Sequence, residues 1–174
     1  MTTEERIFNQ AVRGTDYNKG LPNTLASLLI AQSKHETGNF TSPFFKQFNN
    51  AFGYSYFPGS NYQTGSVGPL ADNGKPIADY WSLEDSVKEV IDWIYRRVNE
   101  GKFPKDLNDI KTPEQYAALL KGAGYYGDTL QNYTAGLKRF FIPVLEMIEK
   151  PAFGLGIAAS LLLIYYGNKM FNRR

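Results

Sequence analysis

The chain has 174 residues, 43% of them apolar and 15% aromatic, which suffices for one domain with a real core and excludes a disordered segment. Its net charge of +2 is too small to suggest a nucleic-acid surface, and three of the cations, Lys169, Arg173 and Arg174, crowd into the last six residues. The absence of cysteine rules out disulfides and thiolate metal sites, and a single histidine, His35, rules out a three-histidine zinc site, so neither metal nor cofactor is expected.

The opening stretch "MTTEERIFNQAV" reads as a short amphipathic helix and lacks the basic-then-apolar pattern of an export signal. Residues 22–37 predict a second helix with Pro22 near its first turn. At helical spacing Leu25, Leu28, Leu29 and Gln32 share one face, and Glu36 falls on the same face just as the helix ends. A carboxyl held at the lip of a core is partly desolvated, its charged form is disfavoured and its pKa rises. That is the protonated state a general acid needs near neutral pH. A glutamate at a frayed helix end, turned to water, fits the periodicity equally well.

Residues 40–82 carry little helical period and predict an irregular lobe, with a hairpin at "ADNGK" where Asn-Gly favours a tight turn. Nine aromatics stand between residues 40 and 62, interleaved with Asn49, Asn50, Ser55, Asn61 and Gln63. Aromatic faces beside amides suit sugars, which present apolar C–H faces and hydroxyl edges, and this marks Tyr54, Tyr56 and Tyr62 as candidate glycan contacts. About half of the nine are expected in the core, Phe44 and Phe52 first.

Residues 83–99 predict a third helix, on which Leu83, Val87, Val90, Ile91, Ile94 and Val98 keep helical spacing and Ser82 with Asp85 marks the start. "TPEQYAALLKGAG" predicts a short helix capped by Thr112 and stopped by Gly122 and Gly124. "DTLQNYTAGLKRFFIPVLEMIE" predicts a last one, kinked or broken at Pro143. Residues 151–168 carry no charge and as a helix would span about 27 Å, close to the roughly 30 Å of a bilayer's hydrocarbon. Tyr165, Tyr166 and the basic tail 169–174 suit a membrane interface. The expected organisation is a domain over 1–142, a juxtamembrane linker over 143–150, a transmembrane helix over 151–168 and a tail; a buried C-terminal helix is the alternative.

"LLIAQSKHETGNF" followed by "FNNAFGYSY" resembles the peptidoglycan-cleaving glucosaminidase domains of the lysozyme-like superfamily, which carry an A-Q-x-x-x-E-S/T-G helix end and then N-N-L/F-F-G. "IADYWSLEDSVKEVIDWI" is similar to their Y-x-S-x-x-E/D-S helix start, and "LLKGAGYYGDTLQNYTAGL" to their L-x-x-A-G-Y-A-T-D-x-x-Y segment. The four motifs keep their order across residues 22–141. The resemblance implies a mainly α, α+β lysozyme-like fold with a small hairpin lobe, and an enzyme that cuts the β-1,4 glycan backbone of peptidoglycan. It implies Glu36 as general acid, Tyr125 lining the cleft opposite it, and Asn49, Asn50, Phe52 and Gly53 in the loop beneath.

The family often has a second carboxylate in the small lobe on a W-T-x-E stretch. Here that stretch is "NYQTGSVG", and Asp72 is the only acid between Glu36 and Asp79. Either Asp72 reaches the cleft or one carboxyl suffices, with the substrate's N-acetyl group as internal nucleophile. A lytic transglycosylase also needs a single such glutamate. A non-catalytic glycan-binding or structural membrane protein is the reading from a different class. A single C-terminal pass with a basic tail would leave the domain facing the cell wall, as in a virion membrane or a phage that delivers its lysin on entry, with virion or membrane proteins as further partners.

Overall fold

The computed structural model describes residues 3–13, 20–71 and 74–149. Six α-helices and one hairpin follow in the order α1 (Thr3–Arg13), α2 (Asn23–Glu36), α3 (Pro43–Phe48), β1 (Gln63–Leu70), β2 (Pro76–Tyr80), α4 (Leu83–Asn99), α5 (Pro113–Gly122) and α6 (Leu130–Glu149). The fold is mainly helical with a small sheet, as the sequence predicts.

Helix α2 is the centre of the molecule. The periodicity marks one apolar face, yet every residue from Leu25 to Lys34 is buried. Three neighbours account for this: α1, α6 and a 3-10 turn at Leu107–Asp109 all pack against it. Its small polar residues survive burial by bonding backward, Ser27 Oγ to the Asn23 carbonyl at 2.9 Å and Ser33 Oγ to that of Ile30 at 3.0 Å.

The end of α2 is fixed by its sequence. Thr37 Oγ1 donates to the Ser33 carbonyl at 2.6 Å and accepts from the Phe40 amide at 2.8 Å. Gly38, Asn39 and Phe40 then take three consecutive left-handed conformations, at φ of 58°, 62° and 63°. Glycine and asparagine tolerate that region, but an aromatic residue there is strained by about 1–2 kcal/mol. The Phe40 ring offsets the strain by entering the core, 5.8 Å from Phe8 and 5.4 Å from Phe45. The helix therefore stops directly after Glu36.

Helix α3 begins at Ser42, whose Oγ accepts from the Phe45 amide at 3.1 Å. It buries Phe45 and leaves Phe44 47% exposed, which corrects the expectation that Phe44 is core; Phe52, 1% exposed, is core as expected. Among the nine aromatics Phe40, Phe45 and Phe52 are buried, fewer than the expected half. The antiparallel pair β1–β2 is irregular, with shifts of register between Gln63, Val67 and Leu70. Residues 54–56 lie along β2 as a short third edge through the Tyr56 amide to the Pro76 carbonyl (2.7 Å) and the Ala78 amide to the Tyr54 carbonyl (2.9 Å).

Helix α4 starts at Ser82, whose Oγ accepts from the Asp85 amide at 3.1 Å, and buries Leu83, Val87, Val90, Ile91 and Ile94, the stripe read from the sequence. Thr112 and Gln115 cap α5 reciprocally. Helix α6 continues through Pro143 to Glu149, so most of the stretch expected as a linker is helical. Among the described residues no helix is long and apolar enough to cross a membrane. The expected span 151–168 and the tail 169–174 lie outside the described residues, as does Asp72.

Candidate active site

The last turn of α2, the loop 52–57, the face of α4 and the segment 123–133 enclose a cleft of about 800 Å³. Glu36 lines it from the α2 side. Its carboxyl Oε1 accepts a 2.6 Å hydrogen bond from the Tyr133 hydroxyl. A side chain placed on Gly53 would come within 3.6 Å of its Oε2, so the backbone of the loop runs close under the carboxyl. Gly53 itself sits at φ 63°, the left-handed region that a side chain resists.

Desolvation pushes the Glu36 pKa up to about 7, and the bond from Tyr133, which favours the charged form, holds it back. At neutral pH much of the carboxyl is protonated. Of the two positions open from the sequence, lip of the core or frayed end in water, the structure adopts the first.

Aromatic rings brace this carboxyl. Tyr133 stacks on Tyr126 at 3.7 Å and meets the edge of His35 at 5.1 Å. Burial, then the neighbouring Glu36, raise the Tyr133 hydroxyl well above the usual phenol range, so it stays neutral and can only donate to an ionised carboxylate. One turn back along α2, Gln32 Oε1 accepts from the buried Tyr116 hydroxyl at 2.6 Å. His35 also lines the cleft; desolvation lowers its pKa and Asp128 works against that. Helix α6 passes so near that a Cβ on Gly136 would fall 2.3 Å from the imidazole Cε1.

The opposite wall starts with Tyr125, which the resemblance assigns to the cleft and which does line it. Its hydroxyl donates to the Phe52 carbonyl rather than reaching toward Glu36, and burial raises its pKa. Tyr54 packs edge-on at 5.7 Å and Trp93 at 5.5 Å. The Tyr54 hydroxyl is buried without a hydrogen-bond partner. Phe52, Gly53, Tyr54 and Tyr56 all line the cleft.

Three other sequence candidates stand elsewhere. Asn49, left-handed at φ 52°, uses its amide Nδ2 on the Tyr80 carbonyl at 3.0 Å. Asn50 is buried; its Nδ2 donates to the carbonyls of Tyr54 (2.8 Å) and Ala78 (3.0 Å), and its Oδ1 accepts from the Phe52 (3.4 Å) and Tyr54 (3.1 Å) amides. Both asparagines shape the floor from beneath. Tyr62 bonds Asp92 and lines an adjoining cavity of about 340 Å³.

Two residues were not singled out in the sequence. Tyr133 is the final tyrosine of "GDTLQNY", so the segment that flagged Tyr125 held the signal for it too. With Asp128, which also lines the cleft, Glu89 from α4 is a further carboxylate there, outside the Glu36–Asp79 interval. Its Oε2 accepts from the Tyr80 hydroxyl at 2.6 Å and from Gln63 Nε2 at 3.0 Å, which ties both strands of the hairpin to the helix. Among the described residues no group of three or more His, Asp or Glu side chains is placed to hold a metal ion.

A carboxyl whose pKa is raised to about 7, in a cleft walled by aromatic rings, has the chemistry that an acid-catalysed glycosidase requires. The family model described as mannosyl-glycoprotein endo-beta-N-acetylglucosaminidase (Glucosaminidase) matches residues 20–142, and the chain belongs to that family. It is thereby a glycoside hydrolase acting on peptidoglycan. No curated protein and no solved structure matches the chain.

Proposed function

We propose that the protein hydrolyses the β-1,4 bond on the reducing side of N-acetylglucosamine in the peptidoglycan backbone, with Glu36 as general acid. The observation that carries this is the Glu36 carboxyl itself, bonded to Tyr133 and raised to a pKa of about 7 at the wall of a cleft wide enough for sugars. Glu36 gives its proton to the leaving glycosidic oxygen. The carbonyl oxygen of the substrate's N-acetyl group attacks the anomeric carbon as that bond breaks, forming an oxazolinium. Water then opens this ring at the anomeric carbon and returns a proton to Glu36. The other two carboxylates of the cleft support a one-carboxyl mechanism, since Glu89 Oε2 is engaged by Tyr80 and Gln63 and Asp128 Oδ1 by the Thr129 amide and Asn132 Nδ2. Tyr133 and Tyr125 hold the acid and the floor beneath the reacting sugar.

The test is a digest of purified peptidoglycan by the full chain in mild detergent, beside Glu36→Gln. Products are reduced with borohydride and read by mass spectrometry. Reduced N-acetylglucosamine ends from the unaltered chain alone support the reading. Reduced muramic ends would make it a muramidase, anhydro ends a lytic transglycosylase, and no product at all would overturn it.

The same proposal takes residues 151–168 as a membrane span that holds the enzyme against the wall for lysis or penetration, on the strength of their charge-free run and basic flank. Carbonate-resistant membrane fractionation of the full chain tests it; recovery in the soluble fraction would remove this part.

A further inference from the structure

Past Trp93 the cleft changes character. Glu89, Trp93, Arg96 and Arg97 all line it, and their spacing of four, seven and eight residues puts them on one stripe of α4. Trp93 stands against Tyr125, whose hydroxyl meets the carbonyl of Phe52, the residue before Gly53 and its close approach to Glu36. The two arginines thus share the cleft with the acid, on the α4 wall that Trp93 and Tyr125 join to the loop beneath Glu36.

Arg97 is held in place: its Cζ sits 5.2 Å over the Trp93 ring and Nη1 is 2.6 Å from Glu100 Oε2. Its Nε is buried without a hydrogen-bond partner. Arg96 is exposed, its side chain makes no hydrogen bond or ion pair among the described residues, and it lines both the main cleft and the adjoining cavity. Lys75 lines the cleft as well, from the turn of the hairpin.

An uncharged glycan offers two guanidinium groups only neutral hydroxyl and amide acceptors, with no charge to pair. A chain of N-acetylglucosamine alone would be served by the aromatic wall and by amides. Peptidoglycan differs in that alternate sugars bear a lactyl group, and through it a peptide with free carboxylates. A guanidinium fork matches a carboxylate with two parallel hydrogen bonds, and a partly desolvated one gains more from the match than an exposed one.

We propose that Arg96 and Arg97 form a carboxylate-binding subsite for the lactyl-borne substituent of the sugar, so that the enzyme reads substituted glycan in preference to bare glycan. This rests on the glycan-cleaving reading of the cleft. The carboxylate has two sources, the stem peptide or the lactyl group itself once the peptide is gone.

The test measures binding, so that it stands apart from cleavage. The full chain carrying Glu36→Gln is cosedimented with purified sacculi freed of phosphate polymers, with the same sacculi stripped of peptides by an amidase, and with chitin particles. The comparison chains add Arg96→Gln alone, which removes an exposed side chain and leaves the fold intact, or Arg96→Gln with Arg97→Gln. On intact sacculi the double change is expected to raise Kd about tenfold, and the single change several-fold. Both are expected to flatten the salt dependence and to alter chitin binding less than twofold. If stripping abolishes the effect, the peptide supplies the carboxylate; if the effect survives, the lactyl group does. An unaltered Kd on intact sacculi, or an equal loss on chitin, would overturn the subsite. Absence of cleavage by the unaltered chain would overturn the catalytic reading separately.

Discussion

The two walls of the cleft are held together in different ways. The α2–α6 wall is a packed helical core from which one carboxyl emerges, fixed by a capped helix end, one phenol and a stack of rings. The wall formed by the loop 52–57 and the hairpin has few buried side chains, and amide and carboxylate bonds shape it: Asn49 and Asn50 to backbone, Glu89 to Tyr80 and Gln63. The contrast shows a division of labour. Packing holds the Glu36 carboxyl, and polar anchors hold the loop wall across the cleft from it.

Substitutions on the two walls should consequently fail differently. The largest effect is expected for Glu36→Gln, which removes the proton donor and lowers turnover by about a thousandfold. It should also separate chemistry from stability. The folded pKa of about 7 lies above the ordinary glutamate value of 4.5, so native Glu36 costs stability as pH rises from about 4.5 through 7. Glu36→Gln should thus be more stable than the unaltered chain at pH 8, by about 2 kcal/mol after allowance for solvent screening, and equally stable at pH 4. Melts at both pH values check this, and a lower melt at pH 8 would deny that the carboxyl is desolvated.

Asn50→Ala comes next and acts through the floor. It removes the side-chain donor to the Tyr54 and Ala78 carbonyls, the first of which keeps the Ala78 amide, and the acceptor of the Phe52 and Tyr54 amides, and about 3 kcal/mol of stability should go with them, read as a fall in Tm. A change in activity with Tm unmoved would place Asn50 on the substrate and undo the division between walls.

Gly136→Ala tests the packed side. The added methyl must displace the His35 ring, 2.3 Å away, at a cost of about 2 kcal/mol that the better helix propensity of alanine offsets only in part. Tyr133→Phe is the smallest and sharpest. It removes the bond that lowers the Glu36 pKa, so the acid should ionise at higher pH and the alkaline limb of the pH–rate profile should move up by about half a unit to one unit, with stability changed by little more than about 1 kcal/mol. A limb that moves down would reverse the sign assigned to that bond.

The same contrast explains what the sequence made legible. The helices α1, α2, α4 and α5, the caps of α4 and α5 and the position of Glu36 follow from apolar spacing and local signals, which are properties of short stretches. That α2 is buried on all sides does not follow, because covering by α1 and α6 is decided far away in the chain. The lobe was harder. Nothing in "NNAFGYSY" states that Asn50 spends its whole amide on backbone four and twenty-eight residues away, or that Tyr125 meets the Phe52 carbonyl across seventy-three. Glu89 reads as one more acid on an amphipathic helix until the hairpin is laid across it. Phe44 and Phe45 are neighbours of one type, and only the left-handed turn before them decides which faces inward.

The solitary imidazole has a practical consequence. His35 sits beside Glu36 in sequence, against Tyr133 in space and on the lining of the cleft, and the chain has no other histidine. A proton NMR spectrum should therefore show one pair of imidazole ring signals, assigned without labelling or mutagenesis. Their drift with pH would carry the imprint of the neighbouring carboxyl, and their shift on adding oligosaccharide would turn an ordinary titration into a direct view of the site being filled.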